Sequence, residues 1–165
     1  MMAKMTFKVS KEYEKKLGLL AERSEEVAKR ALYEAADIVA DKIRENILAL
    51  PEEKFRYLRD GDMFTGVPKD QKELLLYNFG VSPIRKERDG RLTVKLGFDD
   101  YAGEHPTKKY PQGLPAQLVA GSVESGSSVR HKHPFVRPAV SATKEAAKKA
   151  MEKVIDEEIK KIMKG

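Results

Sequence analysis

The sequence predicts one α+β domain, in which a long N-terminal helix and a C-terminal helix pack on a small antiparallel sheet that includes a hairpin around residues 81–98. Three observations predict it. Apolar residues recur at helical spacing from Ser10 to Leu50, alternate with period two from Leu92 to Phe98, and return to helical spacing over residues 139–163. At 165 residues the chain is long enough to bury one substantial core, so residues 1–165 are read as a single domain.

In the first segment Tyr13, Leu17 and Leu20 share a face, and Val27, Ala31, Ala35, Ile38, Ile43 and Ile47 continue it. Ser10 and Ser24 are both residue types that cap helix starts. A short helix, a break between Gly18 and Ser24, and a longer helix to about Leu48 are therefore expected. One unbroken helix would run about 60 Å, long for a small domain. Pro51 ends the segment, since its ring clashes with the preceding turn and it has no amide hydrogen.

Residues 51–68, PEEKFRYLRDGDMFTGVP, read as a flexible, exposed connection with scattered aromatic anchors. Asp70 followed by Glu73 matches a capping box, with Leu74, Leu75 and Tyr77 behind it, so a helix should end near Gly80. Leu92, Val94, Leu96 and Phe98 then alternate with Thr93, Lys95 and Gly97, the pattern of a half-buried strand. Val81 to Lys86 is a weaker strand, and Asp89-Gly90 between the two is a strong hairpin turn signal. Residues 99–130 are rich in Gly, Pro and Ser and read as a second flexible loop, within which LPAQLVAGSVESG allows a short helix after Leu114. The final helix carries Val140, Ala147, Met151, Val154, Ile155, Ile159 and Met163 as its apolar stripe.

The stretch GSSVRHKHPFVRPAVSA, Gly126 to Ala142, raises three chemical readings. His131 and His133 point to one side of an extended segment, but further metal ligands would have to arrive from elsewhere, and His105 is the one other histidine. A hydrolase built on Ser128 or His131 lacks the nucleophile elbow, because GSVESG has its serine in the wrong place. Neither phosphate-binding glycine pattern occurs. The third reading is folding punctuation: Pro134 keeps the chain extended, Phe135 anchors the coming helix to the sheet, and Pro138 suits its first turn.

Lys and Arg outnumber Asp and Glu by 32 to 26, a net charge of +6 that permits nucleic-acid or acidic-protein partners without selecting either. The basic residues cluster twice, as Arg85, Lys86, Arg88 and Arg91 at the hairpin tip and as Arg130, Lys132 and Arg137 around the histidines. These seven are the candidate DNA or partner contacts, and a basic DNA-binding module is the competing reading of the whole chain. The absence of cysteine excludes disulfides and thiolate metal sites, and a cytosolic place of synthesis is expected. The opening MMAKMTFKVSKEY lacks the apolar core of a signal peptide, and no stretch approaches the roughly 20 apolar residues needed to span a bilayer.

One stretch also carries a resemblance. SGSSVRHKHPFVRPAVSATKEAAKKAMEKVI resembles the C-terminal signature of the head-to-tail joining, or tail-completion, family of minor tail components in long-tailed phages and prophages. There a Ser-Gly loop leads to a His/Pro-Phe-Val/Ile-Arg-Pro-Ala segment and then a lysine- and alanine-rich helix. FKVSKEYEKKLGLL, ALYEAADIVADKIRENI and LLLYNFGVSPIRKERDGRLTVKLGFDDY are similar to its opening strand and helix, its long helix and its helix-to-hairpin unit. The similarity runs through nearly the whole chain in order and is least at Pro51 to Thr65. It implies an α+β subunit of a homo-oligomeric ring, of six copies, in the virion neck, made in the cytoplasm of the bacterial host. The implied partners are a head-closure protein, a tail terminator or the tail tube, and genomic DNA passing through the lumen. It implies no catalytic residue, no cofactor, no metal and no membrane.

Overall fold

A computed structural model describes residues 11–54, 59, 61–101 and 106–164. Its frame is a pair of antiparallel helices, α1 (Lys11–Leu48) and α4 (Val136–Lys164). The expected break between Gly18 and Ser24 is not there. α1 is a single helix of 38 residues, about 57 Å long at 1.5 Å per residue. Ser24 Oγ donates to Ala21 O at 2.8 Å, so the hydroxyl folds back on its own helix instead of starting a new one. α4 supplies the tertiary support, and Lys16 Nζ reaches the carbonyl of Met163 at its far end, at 2.6 Å. The Tyr13 and Leu17 side chains lie outside the described residues.

Small residues set the contact between the two helices. Ala31, Ala35, Ala36 and Ala40 of α1 and Ala139 and Ala147 of α4 are buried, which lets the axes approach closely. The α4 stripe is accordingly shifted from the expected one. Ala139, Thr143, Ala147, Glu158 and Ile162 face inward, while Val140 and Ile155 are exposed. Putting alanine rather than valine against α1 is the reason. Glu158 is buried between two arginines, with Arg23 and Arg30 each 3.4 Å from one of its oxygens. A buried carboxylate without partners is costly, so this pairing fixes which turn of α4 faces which turn of α1.

The main core lies toward the other end of the frame, where Ile43, Ile47, Leu50, Val67, Leu75, Phe79, Val119, Val123 and Phe135 come together. The connection after α1 is tied down at both ends rather than simply exposed. β1 (Glu52–Glu53) pairs in parallel with β2 (Val67–Pro68), and Gly66, Val67 and Pro68 are buried. Glu53 Oε2 accepts from Thr65 N at 3.2 Å and Thr65 Oγ1 at 3.0 Å. α2 (Lys69–Asn78) leaves directly from β2, so Pro68 takes the cap position and no side chain caps the helix. The expected capping box therefore does not form. Asp70 sits in the first turn, where its charge favours the helix dipole, and Glu73 lies 3.9 Å from Lys69 Nζ.

α2 runs straight into the hairpin. β3 (Phe79–Val81) pairs antiparallel with β6 (Leu96–Phe98), and β4 (Arg85–Lys86) pairs antiparallel with β5 (Leu92–Thr93). Between the two ladders three residues oppose two, because Pro83 has no N–H to give. Ser82 bridges the gap: its N–H donates to Lys95 O at 2.7 Å and its Oγ accepts from Lys95 N at 2.9 Å. The turn is also one residue longer than Asp89-Gly90. Glu87 N donates to Arg91 O at 2.8 Å and Gly90 N to Glu87 O at 3.0 Å, with Gly90 at φ 85° closing a three-residue loop. α3 (Ala116–Ser125) then packs against α2 and β6 ahead of α4. Among the described residues of 99–130, only those on either side of this helix are loop.

Two glycines test the description with opposite signs. A Cβ at Gly18 meets no atom within 4 Å, so Gly18→Ala should stabilise a continuous α1 by about 0.5–1 kcal/mol. A Cβ at Gly66 would sit 2.6 Å from Pro51 O, so Gly66→Ala should cost on the order of 1–3 kcal/mol. Urea unfolding of both variants checks this, and a Gly18→Ala variant with no gain would restore the break.

Candidate interaction surface

The Ser-Gly stretch folds as a laced return from α3 to α4. Gly126 ends α3 at φ 80°, donating to Ser122 O at 2.9 Å, and a Cβ there would press on Lys132 N at 3.2 Å. Ser127 N donates to Arg130 O at 3.0 Å, and Ser127 Oγ accepts from Val129 N at 3.3 Å, so this serine makes a turn. The chain then pairs with the Phe64 segment: Phe64 N donates to Val129 O at 2.8 Å and His131 N to Phe64 O at 3.0 Å.

In an extended segment successive side chains point to opposite sides. The pairing that exposes Val129 and His131 therefore turns Arg130 inward. Arg130 is only 5% exposed, and this corrects its place among the expected DNA contacts. Its guanidinium lies 5.7 Å from the Phe64 ring centroid and Nη2 donates to Gln71 Oε1. Nε and Nη1 are buried without a hydrogen-bond partner among the described residues, and desolvation holds the group's pKa below its ordinary value. Lys132 stays exposed. His133 is half-buried with Nε2 2.5 Å from Thr65 O, so that nitrogen carries the proton and is engaged. Among the described residues no three His, Asp or Glu side chains are placed to hold a metal, and His105 lies outside them.

The start of α4 holds a feature that sequence reasoning missed. Glu124, on α3, accepts from Phe135 N at 2.8 Å and Val136 N at 2.9 Å through Oε2, and from Arg137 N at 3.0 Å through Oε1. Arg137 Nε is 3.9 Å away. Burial pushes the Glu124 carboxyl up, but the three amides and Arg137 together bring it below its ordinary value. The next residue, Pro138, is exposed and has no N–H, and it is the third residue of α4 rather than the first. Pro134 is exposed, whereas Phe135 is buried with its ring 6.0 Å from that of Phe98, edge to face. Phe98 in turn packs on Phe79 at 5.3 Å. Nothing in the sequence marks Glu124 as a cap, because its amides are 11 to 13 positions away.

The hairpin leans on α1. Arg44 lies over the Phe79 ring at 5.1 Å, and Tyr33 Oη accepts from Ile84 N at 3.3 Å. Nearer the tip, Lys86 Nζ is 2.8 Å from Glu25 Oε2, and hydrogen bonds from Lys86 and Lys29 hold the Glu25 carboxyl down at about 2. Arg91 pairs with Asp89 at 2.6 Å. Arg85 and Arg88 are exposed and have no ion-pair partner among the described residues. The two basic clusters are not brought together. One meets α1 at Glu25, and the other adjoins Asn46, whose Nδ2 donates to Phe135 O at 3.0 Å. Those positions are about 30 Å apart along the helix.

Exposed apolar side chains gather elsewhere, around the end of α2 and the start of α3. Tyr77 is 88% exposed, and Tyr101, Leu114 and Leu118 are exposed too. Among the described residues no helix is long and apolar enough to cross a membrane. Comparison with known proteins gives no match: no family model, no curated protein and no solved structure matches the chain.

Glu124→Gln should cost about 1–3 kcal/mol near neutral pH, since it removes the charge from three hydrogen bonds. A carboxyl whose folded pKa lies below its ordinary 4.5 adds stability above that value and loses it as pH falls through the folded pKa. The gap between wild type and variant should therefore close on acidification, read by thermal unfolding from about pH 7 to about pH 3. Parallel curves would show that the charge is not what matters.

Proposed function

We propose that the chain is a noncatalytic structural subunit of the head-to-tail joining kind, placed in the neck of a long-tailed phage or prophage virion. It assembles as a ring, of six copies, between a head-closure protein and a tail terminator or tail tube, with genomic DNA passing through the lumen. The resemblance along nearly the whole sequence supports this reading, and one structural observation carries it furthest. The exposed side chains of Tyr77, Tyr101 and Leu114 line one groove between α2 and the segment from β6 to α3, and Leu118 is exposed on α3. A contiguous exposed patch of this kind suits contact with another protein. The competing basic module keeps Arg85, Lys86, Arg88, Arg91, Lys132 and Arg137 but loses Arg130 to the interior.

The mass of the purified chain by light scattering, alone and mixed with a head-closure and a tail-terminator protein, tests the proposal. A ring or a discrete complex is expected, with weak and nonspecific binding to duplex DNA. A chain that stays monomeric and binds neither protein contradicts it. Tight duplex binding that falls steeply with salt and disappears in Arg85→Ala with Arg88→Ala would favour the basic module instead.

A further inference from the structure

α2 and the segment from β6 to α3 border a groove of about 710 Å³. Asp70, Glu73, Tyr77, Asp100, Tyr101 and Leu114 line it; the described lining residues include no cation, and the exposed Lys69 Nζ stands 3.9 Å from Glu73 at its edge. Tyr77, Tyr101 and Leu114 are exposed there. Asp100 adopts φ 66°, which aspartate tolerates better than most residues. Its carbonyl accepts from Ala116 N at 3.0 Å and its carboxylate from Tyr101 N at 3.0 Å. The turn that brings Tyr101 to the groove is thereby tied to α3.

The same chain carries the complement of this groove. At the hairpin tip Lys86 and Arg91 are already paired, but Arg85 and Arg88 are not, among the described residues. A guanidinium suits such a groove twice over, because it stacks on a tyrosine face and binds a carboxylate through two donors. Tip and groove cannot meet within one copy. The groove adjoins the hairpin base, where Asp99 N donates to Asn78 O at 3.0 Å and Arg44 lies over Phe79. The tip is held at Glu25, about 28 Å from Arg44 along α1.

We propose that the groove receives the hairpin tip of a second copy, with Arg85 and Arg88 stacking on Tyr77 and Tyr101 and pairing with Glu73 and Asp100. This rests on the ring reading above and supplies its contact. A contact between two unlike surfaces of one chain repeats from copy to copy, and closes into a ring or continues as a filament.

Charge reversal tests it on the 165-residue chain. Glu73→Arg in the groove and Arg88→Glu at the tip are both at exposed positions, and circular dichroism melting checks that each variant folds. Each reversal alone should weaken self-association about tenfold or more, read by sedimentation or light scattering across a concentration series. The equimolar mixture should recover it, because each variant's altered surface then faces a complementary one. Added salt should weaken the wild-type contact. Wild-type self-association that survives both reversals overturns the groove contact and leaves the ring reading standing. Reversals that weaken association without recovery on mixing also overturn it. A wild-type chain that remains monomeric at its solubility limit, with and without the neck proteins, overturns both. Loss of duplex DNA binding in Arg88→Glu with no change in self-association assigns the tip to nucleic acid and overturns the contact.

Discussion

The carboxylate of Glu124 is the point on which the rest of the structure turns. A helix start leaves four amide positions without an acceptor in the helix. At α4 three of them donate to this one side chain, and the fourth belongs to Pro138, which has no hydrogen to donate. The requirement is met completely, and by a residue from another helix rather than from the preceding loop. Because Glu124 belongs to α3, capping α4 also fixes the angle between them. Asn46 extends the junction to α1 through the carbonyl of Phe135. Three helices are thus joined within one turn of backbone.

What hangs from this corner follows from its apolar side. Phe135 leads to Phe98 and Phe98 to Phe79, so the hairpin base is gripped by three rings in edge-to-face and tilted contact. The tip is held differently, by the exposed Lys86–Glu25 pair and by Tyr33. Exposed ion pairs contribute little, commonly under about 1 kcal/mol. The hairpin is therefore firmly based and lightly held at its end. Glu158 plays the corresponding part at the opposite end of the frame, where two arginines choose its register.

Periodicity made the large features legible. The helical stretches, the short helix after Leu114 and the hairpin with its Asp-Gly turn all follow from spacing and turn chemistry within a few residues. Phe135 was legible as an anchor because a proline on each side leaves an apolar residue few other roles. The misses share a cause, namely partners distant in sequence. Gly18 and Ser24 look like a boundary until α4 lies beside them. Arg130 reads as a surface cation until Phe64 pairs with its backbone and turns it inward. Val140 suits a helical stripe, but the alanines of α1 choose Ala139. The groove was illegible for the same reason, since Glu73, Tyr77 and Asp100 come together across two segments.

A frame that presents a groove at one end of a hairpin and a basic tip at the other is the physical basis for reading this chain as an assembling subunit. That reading depends on the Glu124 corner holding the hairpin base, α3 and α4 as one platform. Amide hydrogen exchange of the wild type and Glu124→Gln measures this most directly. The predicted result is slow exchange at Phe135, Val136 and Arg137 in the wild type, faster exchange there and across β3 and β6 in the variant, and no change around Ala31 and Ala35 of α1. Fast exchange at those three amides in the wild type, or rates untouched by the substitution, would contradict it.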